Sequence, residues 1–155
     1  MINAALLKKL YLFKDLSEAE LRHVEKAVAH KTYAAGDDIF AQKDRAKALY
    51  LIQFGSVRIH QKVESDDSVE VTRLSTGAHF GEMPFIDGEA RSATATAIEK
   101  TEIIEISYDK LTDLFIAHPA IATHFYRQMA HFLCGRLRVT TTDLAFARSQ
   151  NMSHF

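Results

Sequence analysis

The chain contains little of what disulfide-stabilised, membrane and nucleic-acid-binding proteins depend on. It has 155 residues and one cysteine, Cys134, which excludes an internal disulfide and fits a reducing compartment. The formal net charge of −1 argues against a surface dedicated to nucleic acid. Residues 1–12 are too short, and too interrupted by Lys8 and Lys9, to form a signal peptide or a membrane span. These features favour a single cytoplasmic domain.

Patterns typical of catalytic and metal sites are also missing. The sequence has no Gly-x-Ser-x-Gly motif, no paired carboxylates and no Cys/His arrangement that suggests a reaction. His118, His124 and His131 are spaced by six and seven residues, which suits no H-x3-H metal pair. The sequence therefore predicts a protein that is not an enzyme and has no catalytic residues, metal or cofactor.

The sequence pattern predicts a β-rich centre between two helical ends. Ser17 with Glu20 forms a capping box, which begins a helix that we expect to end near His30. From residue 32 to residue 107 the apolar period changes to two, with turn signals such as Gly55 and Gly77 between short segments. Helical spacing returns near Tyr108, and a second long helix is expected from Pro119 to about Arg148.

This order of elements predicts a mainly β protein with flanking helices (α+β), built as one domain over residues 1–155. The N-terminal helices would occupy residues 1–31, and residues 32–107 would form an antiparallel β-roll or jelly-roll barrel. A short helix is expected within residues 80–95, and residues 108–150 would form a hinge and a long C-terminal helix.

Residues 80–95, FGEMPFIDGEARSATA, combine groups suited to a sugar and a phosphate. Gly81 lets the backbone approach a ligand closely, and the N–H groups that open a helical turn favour an anion. The carboxylate of Glu82 only accepts hydrogen bonds, which suits a ribose hydroxyl. The guanidinium of Arg91 only donates them, which suits phosphate oxygens.

This segment resembles the phosphate-binding cassette of the cyclic nucleotide-binding domain family, and we call residues 80–95 the cassette. The family pattern runs F-G-E, a short apolar helix, a turn, and then R-[ST/A]-A. Residues 33–40 and 48–57 resemble the first strands and glycine turns of the family's β-roll. Residues 103–108 resemble its last strand and the start of the helix that follows.

The resemblance implies a role for each side chain of the predicted site. Glu82 would accept the ribose 2′-hydroxyl, Arg91 would bind the cyclic phosphate, and Ser92 would add a hydroxyl and an N–H. Met83 and Phe85 would anchor the short helix to the barrel, and strand residues would line the base and sugar. The predicted ligand-binding residues are Ile59, Val71, Phe80, Gly81, Glu82, Met83, Arg91, Ser92, Thr140 and Thr141.

Several alternatives stay open at these positions. Glu82 and Arg91 can instead form a structural ion pair with nothing bound, and Ile59 and Val71 can be ordinary barrel core. Pro84 stands where many relatives offer a backbone N–H to the phosphate, and proline has none. The protein can therefore also be a ligand-free β-roll that mediates protein–protein contacts.

The long helix carries an apolar seam at a 4-3-4-3 spacing, which is typical of two helices that pack together. We call these residues the seam: Tyr126, Ala130, Leu133, Leu137, Thr140, Leu144 and Ala147. The pattern favours a parallel homodimer, and the alternative is that both apolar faces fold back on the same β-roll. Phe125, Met129 and Phe132 lie on a neighbouring face that would contact the barrel.

Residues 135–141 resemble the segment whose hydroxyl residues meet the base in the cyclic-AMP receptor branch of the family. Thr140 and Thr141 are therefore candidates for base contact, one of them from a partner chain, and ordinary helix threonines are the alternative. No basic recognition helix follows Arg148, so direct DNA binding and membrane binding are not expected.

Together these patterns predict a regulatory module that binds a cyclic mononucleotide and prefers cyclic AMP (cAMP) to cyclic GMP (cGMP). It would signal to a separate effector protein through its C-terminal helix.

Overall fold

The computed structural model describes residues 4–152, in which five α-helices surround two β-sheets. A 3-10 turn at Tyr11–Phe13 separates the first two helices. The helices are α1 (Ala4–Lys8), α2 (Glu18–Glu25), α3 (Met83–Asp87), α4 (Tyr108–Ala117) and α5 (Pro119–Met152). The predicted fold class, mainly β with flanking helices, is confirmed.

Eight strands form two four-stranded antiparallel sheets, with strand orders β1-β8-β3-β6 and β2-β7-β4-β5. The strands are β1 (Val28–Tyr33), β2 (Asp38–Phe40), β3 (Ala48–Phe54), β4 (Ser56–Lys62), β5 (Ser68–Ser75), β6 (His79–Phe80), β7 (Thr94–Ala97) and β8 (Thr101–Ser107). Chain neighbours β3 and β4 lie in different sheets, so the chain crosses between the two layers as in a β-roll.

The start of α2 follows the predicted capping box. The Ser17 hydroxyl accepts from the Glu20 N–H at 3.2 Å, and the Glu20 carboxylate accepts from the Ser17 N–H at 3.0 Å. The helix ends at Glu25, earlier than the expected end near His30, and β1 begins at Val28 instead of residue 32. The reason is pairing, because β1 bonds to β8 over its whole length from Val28 to Tyr33.

The first sheet is covered on both faces, so two hydrophobic cores share it. On one face Leu49, Leu51, Ile104 and Ile106 pack against the helices. On the other face a second group packs between the two sheets. That group consists of Ala48, Tyr50, Ile52, Val57, Phe80, Ala95 and Ile103. Both alternating sets of β3 are therefore buried, from Ala48 to Ile52.

Helix α5 has a docked half and an exposed half. It extends to Met152, beyond the predicted end near Arg148, and its 34 residues span roughly 51 Å. Phe125 and Met129 are buried against the domain, as the sequence predicts. From Cys134 to Met152 every residue is exposed. None of the helices within residues 4–152 is long and apolar enough to cross a lipid bilayer.

Candidate functional site

A cavity of about 420 Å³ lies between the second sheet, the cassette and α5. This volume is in the range of small-molecule sites in proteins. The strands contribute Phe40, Ile59, Gln61, Val71, Thr72 and Leu74 to its wall. The segments 79–84 and 91–93 form a second wall, and α5 contributes Phe132, Leu133, Arg136, Leu137 and Thr140.

Arg91 lies at this cavity as a buried cation that is only 5% exposed. Its Nη1 donates to the Gly81 carbonyl at 2.8 Å, and its Nη2 donates to the Ala48 carbonyl at 2.6 Å. The guanidinium carbon stacks 3.9 Å from the centre of the Phe40 ring. The charge is therefore held by carbonyl dipoles and an aromatic face, which fix its position without neutralising it.

The hydrogen-bonding capacity of Arg91 is only partly used. Nη1 makes one further bond, a long one of 3.4 Å to the Tyr108 hydroxyl, so three N–H groups have acceptors. A guanidinium has five N–H groups. Within residues 4–152 the structure gives no acceptor to the other two. Arg91 can therefore bind an oxyanion in the cavity while it keeps its present contacts.

Glu82 lies at the same cavity as a buried carboxylate, 7% exposed, at the N-cap position of α3. It forms an ion pair with His79 when that ring is protonated, and His79 Nδ1 is 3.5 Å from Glu82 Oε2. Among the ion pairs of the described residues, none joins Glu82 to Arg91. The alternative of a closed Glu82–Arg91 pair is therefore wrong for this structure.

The structure brings nine of the ten predicted site residues to the cavity wall. These are Ile59, Val71, Phe80, Gly81, Glu82, Met83, Arg91, Ser92 and Thr140. Thr141 is not on that wall, and its hydroxyl donates to the Leu137 carbonyl one turn earlier in α5. Thr140 lines the cavity together with Phe132, Leu133, Arg136 and Leu137 of α5, and Thr141 lies outside this set.

The short helix α3 is anchored by Phe85 and not by Met83. Met83 is 52% exposed, which contradicts its predicted anchoring role. The Phe85 ring contacts the rings of Tyr108, Phe125 and Tyr126 at centroid distances of 5.2, 6.0 and 6.2 Å. Pro84 occupies the first turn of α3, where the absence of an N–H breaks no helical hydrogen bond.

Two tyrosines beside Arg91, the buried Tyr50 and the half-buried Tyr108, have raised pKa values. Burial raises the pKa of Tyr50 to about 12, and Glu105 adds to this effect while Arg91 opposes it. Burial also raises the pKa of Tyr108, with Arg91 again opposing. Both phenols are therefore neutral at physiological pH, and the Tyr108 hydroxyl donates a hydrogen bond to the Gly81 carbonyl. The positive charge of Arg91 is thus not cancelled by a phenolate.

The predicted site residues omit eleven residues of the cavity wall, among them Phe40, Gln61, His79 and Arg136. Phe40 stacks on Arg91, and the Gln61 amide donates to the Ser92 carbonyl at 2.7 Å, which fixes the end of the cassette. The sequence does contain a signal for His79, because this histidine lies in a short apolar segment three residues before Glu82. Nothing in the sequence pattern distinguishes Arg136 from the other arginines of α5.

Comparison with known proteins identifies the family of this chain. The model of the cyclic nucleotide-binding domain matches residues 30–118. A cyclic AMP receptor protein from Thermus thermophilus is 31% identical over 133 residues, which cover 86% of this chain and 60% of that protein.

Solved structures show the same fold. The crystal structure of the Thermus thermophilus catabolite activator protein matches with a TM-score of 0.76 and 30% identity, over 88% of this chain and 62% of that one. A cyclic nucleotide-binding domain from Methylobacillus flagellatus matches with a TM-score of 0.80 and 24% identity, over 90% of this chain and 79% of that one.

The chain spans about 60% of the length of the Thermus receptor protein. The family match, in contrast, covers more than half of this chain, and it includes the whole cassette and seven of the eight strands in full. The chain belongs to the cyclic nucleotide-binding domain family.

Proposed function

We propose that this protein is a non-enzymatic regulatory module that binds cAMP in preference to cGMP. The ligand would lie in the cavity with its cyclic phosphate at Arg91 and Ser92 and its ribose 2′-hydroxyl at Glu82. The base would lie toward α5, where Thr140 offers a hydroxyl that can both donate and accept. The name of the Thermus relative, a cyclic AMP receptor protein, supports cAMP as the ligand.

One observation carries this proposal: a buried carboxylate and a buried guanidinium line the same cavity without pairing with each other. Desolvating two charges is costly, and a protein normally compensates by pairing them directly. Here each keeps free hydrogen-bonding capacity toward the cavity. A small ligand with a hydroxyl and a monoanionic phosphate would satisfy both groups at once.

The absence of catalysis is part of the same proposal. Hydrolysis of a cyclic phosphate needs an activated water, which usually comes from a metal or a general base. Within residues 4–152 no group of three or more His, Cys, Asp or Glu side chains is arranged to hold a metal ion. We expect the nucleotide to be bound and released unchanged.

In this proposal, helix α5 transmits ligand binding to a separate effector protein. Its exposed half carries seam residues Leu137 and Leu144, which are 67% and 50% exposed. A parallel homodimer through the seam would bury them and bring the Thr140 side chains of two chains close together. Ligand binding would change how the docked half of α5 packs, and a separate effector protein would read that change. A ligand shifts such an equilibrium by its differential affinity for the two states.

Titration calorimetry of the purified protein with cAMP and cGMP tests the ligand. We expect micromolar or tighter binding of cAMP, weaker binding of cGMP, and at least a 100-fold loss of affinity in Arg91→Ala. The matched control is Arg73→Ala, because Arg73 pairs with Glu70 on the exposed side of β5, away from the cavity. This control should change the affinity by less than threefold.

A different result favours the ligand-free interaction module. If no cyclic mononucleotide releases heat or raises the melting temperature of the wild-type protein, the sensor proposal is refuted. Recovery of hydrolysed nucleotide after incubation would refute the non-enzymatic part alone.

Analytical ultracentrifugation tests the homodimer with a pair of variants on one helix. Leu144 and Phe146 are both exposed, and they point in nearly opposite directions because two helical steps turn the chain by about 200°. We expect Leu144→Glu to produce monomers and Phe146→Glu to leave the dimer intact. The reverse pattern, or a wild-type monomer at 100 µM or so, would reject the seam as the interface.

A further inference from the structure

His79 is a buried histidine whose hydrogen-bonding groups are unused. Its residue is 4% exposed, and neither Nδ1 nor Nε2 has a hydrogen-bond partner among the described residues. A neutral imidazole always carries one donor and one acceptor. Buried polar groups nearly always find partners, so an imidazole on a ligand cavity without one indicates a function.

Aromatic side chains pack against the His79 ring, and the carboxylate of Glu82 lies next to it. The ring lies 4.2 Å from that of Phe132 in α5 and stacks 6.3 Å from that of Tyr11. The Tyr11 hydroxyl is bonded to His131 at 2.8 Å, so it is not directed at His79. The remaining neighbour is the Glu82 carboxylate, with Oε2 at 3.5 Å from Nδ1.

The distance between Nδ1 and Oε2 is slightly too long for a good bond. N–H···O hydrogen bonds to a carboxylate have lengths of about 2.7–2.9 Å. His79 begins β6, which ends at Phe80, and Glu82 is the N-cap residue of α3, so the two side chains lie only three residues apart in the chain. A small adjustment of the Glu82 side chain would form the bond without moving any helix or strand.

We propose that His79 is a positioning residue for Glu82. Its Nδ1–H donates to Oε2, and this bond presents Oε1 to the 2′-hydroxyl of the bound nucleotide. The inference rests on the proposed function, since it describes how Glu82 recognises ribose. In this arrangement the proton lies on Nδ1, and Nε2 has no hydrogen-bond partner among the described residues. His79 lines the cavity and acts on ribose recognition through the carboxylate.

The test measures discrimination of the 2′-hydroxyl. Calorimetry gives the affinity for cAMP and for its 2′-deoxy analogue in wild-type protein and in three variants of His79. We expect the wild-type protein to prefer cAMP by tenfold or more. His79→Phe keeps an aromatic ring but has no donor, so the preference should fall below threefold with the affinity for the 2′-deoxy analogue unchanged.

Two further variants separate positioning from packing. An asparagine places an amide nitrogen at the same number of bonds from Cα as Nδ1, and a glutamine places one at the distance of Nε2. His79→Asn should therefore keep most of the preference, and His79→Gln should lose it. A purely structural role for the ring predicts that both polar variants lose affinity for the two nucleotides equally.

The outcomes are distinguishable. If the wild-type protein binds neither nucleotide, both the proposed function and this inference are refuted. If the wild-type protein prefers cAMP and the His79→Phe variant keeps that preference, this inference alone is refuted. A measurement that needs no variant is ¹⁵N NMR of the histidine rings in the cAMP complex. It should show the proton of His79 on Nδ1, and a proton on Nε2 alone would overturn the proposal.

Discussion

Two glycines of the cassette allow a matched test of how Arg91 is held. Gly81 and Gly88 both adopt left-handed backbone conformations, with φ of +77° and +74°. An alanine at either position pays a backbone strain of about 1 kcal/mol. The two sites differ in what the new methyl group would meet. At position 88 no heavy atom lies within 4 Å of the added Cβ.

At position 81 the added Cβ would lie 2.8 Å from Arg91 Nη1 and 3.1 Å from Tyr50 Cδ2. Arg91 must move, although it is buried and its Nη1 donates to the carbonyl of Gly81 itself. Loss of one hydrogen bond by a buried charged group costs about 1.5–3 kcal/mol. We therefore expect Gly81→Ala to lower the free energy of unfolding by about 3 kcal/mol and Gly88→Ala by about 1 kcal/mol.

Urea denaturation followed by circular dichroism measures both values, and calorimetry with cAMP measures the effect on the site. Gly88→Ala should bind within threefold of wild type, whereas Gly81→Ala should lose at least tenfold in affinity. Equal stability losses in the two variants would refute the packing argument. A stable Gly81→Ala protein with wild-type affinity would show that the position of Arg91 does not matter for binding.

Three further predictions concern stability and pH. Because the pKa of Tyr50 is about 12 in the folded protein, the folded state holds this proton more tightly than the unfolded chain. The free energy of unfolding should be unaffected by Tyr50 below pH 10 and fall by about 2–3 kcal/mol as the pH rises to about 12. Tyr50→Phe should remove that part of the decline in urea denaturation, and an unchanged slope would contradict it. Ser17→Ala should lower the free energy of unfolding by about 1 kcal/mol with an unchanged m-value, and no loss would contradict the capping box. The Ser17 N–H lowers the pKa of Glu20, so the stability contributed by this carboxylate is present above its ordinary pKa. It should be lost as the pH falls below about 4.5, and Glu20→Gln should flatten the acid side of the stability curve.

The cassette and the sheets were predictable because their signals are local. Two-residue periodicity and glycine turns identify the short strands. The order of Gly81, Glu82 and Arg91 identifies the cassette. The boundary between α2 and β1 was not predictable to the residue. It depends on pairing between Val28–Tyr33 and β8, which is the last strand in the sequence and lies far from β1 along the chain.

The state of the site was less predictable than its composition. Sequence left open a Glu82–Arg91 ion pair, and the structure excludes it because Arg91 bonds to main-chain carbonyls of Gly81 and Ala48. Carbonyls are present at every residue, so no sequence signal identifies those that a buried arginine uses. Likewise, the rotation of α5 decides that Thr140 lines the cavity and Thr141 does not. That rotation is set by the burial of Phe125 and Met129.

Aromatic contacts join the site to α5 on both sides of Glu82 in the chain. Phe85 of α3 packs on Phe125, and His79 packs on Phe132. Phe125 and Phe132 are two turns apart, about 10 Å along α5, and they lie on the same side of it. The docked half of the helix is therefore fixed at two points, one on each side of Glu82 in the chain. If the proposed ligand moves the carboxylate, we expect these contacts to change, and Arg136, Leu137 and Thr140 of α5 line the same cavity.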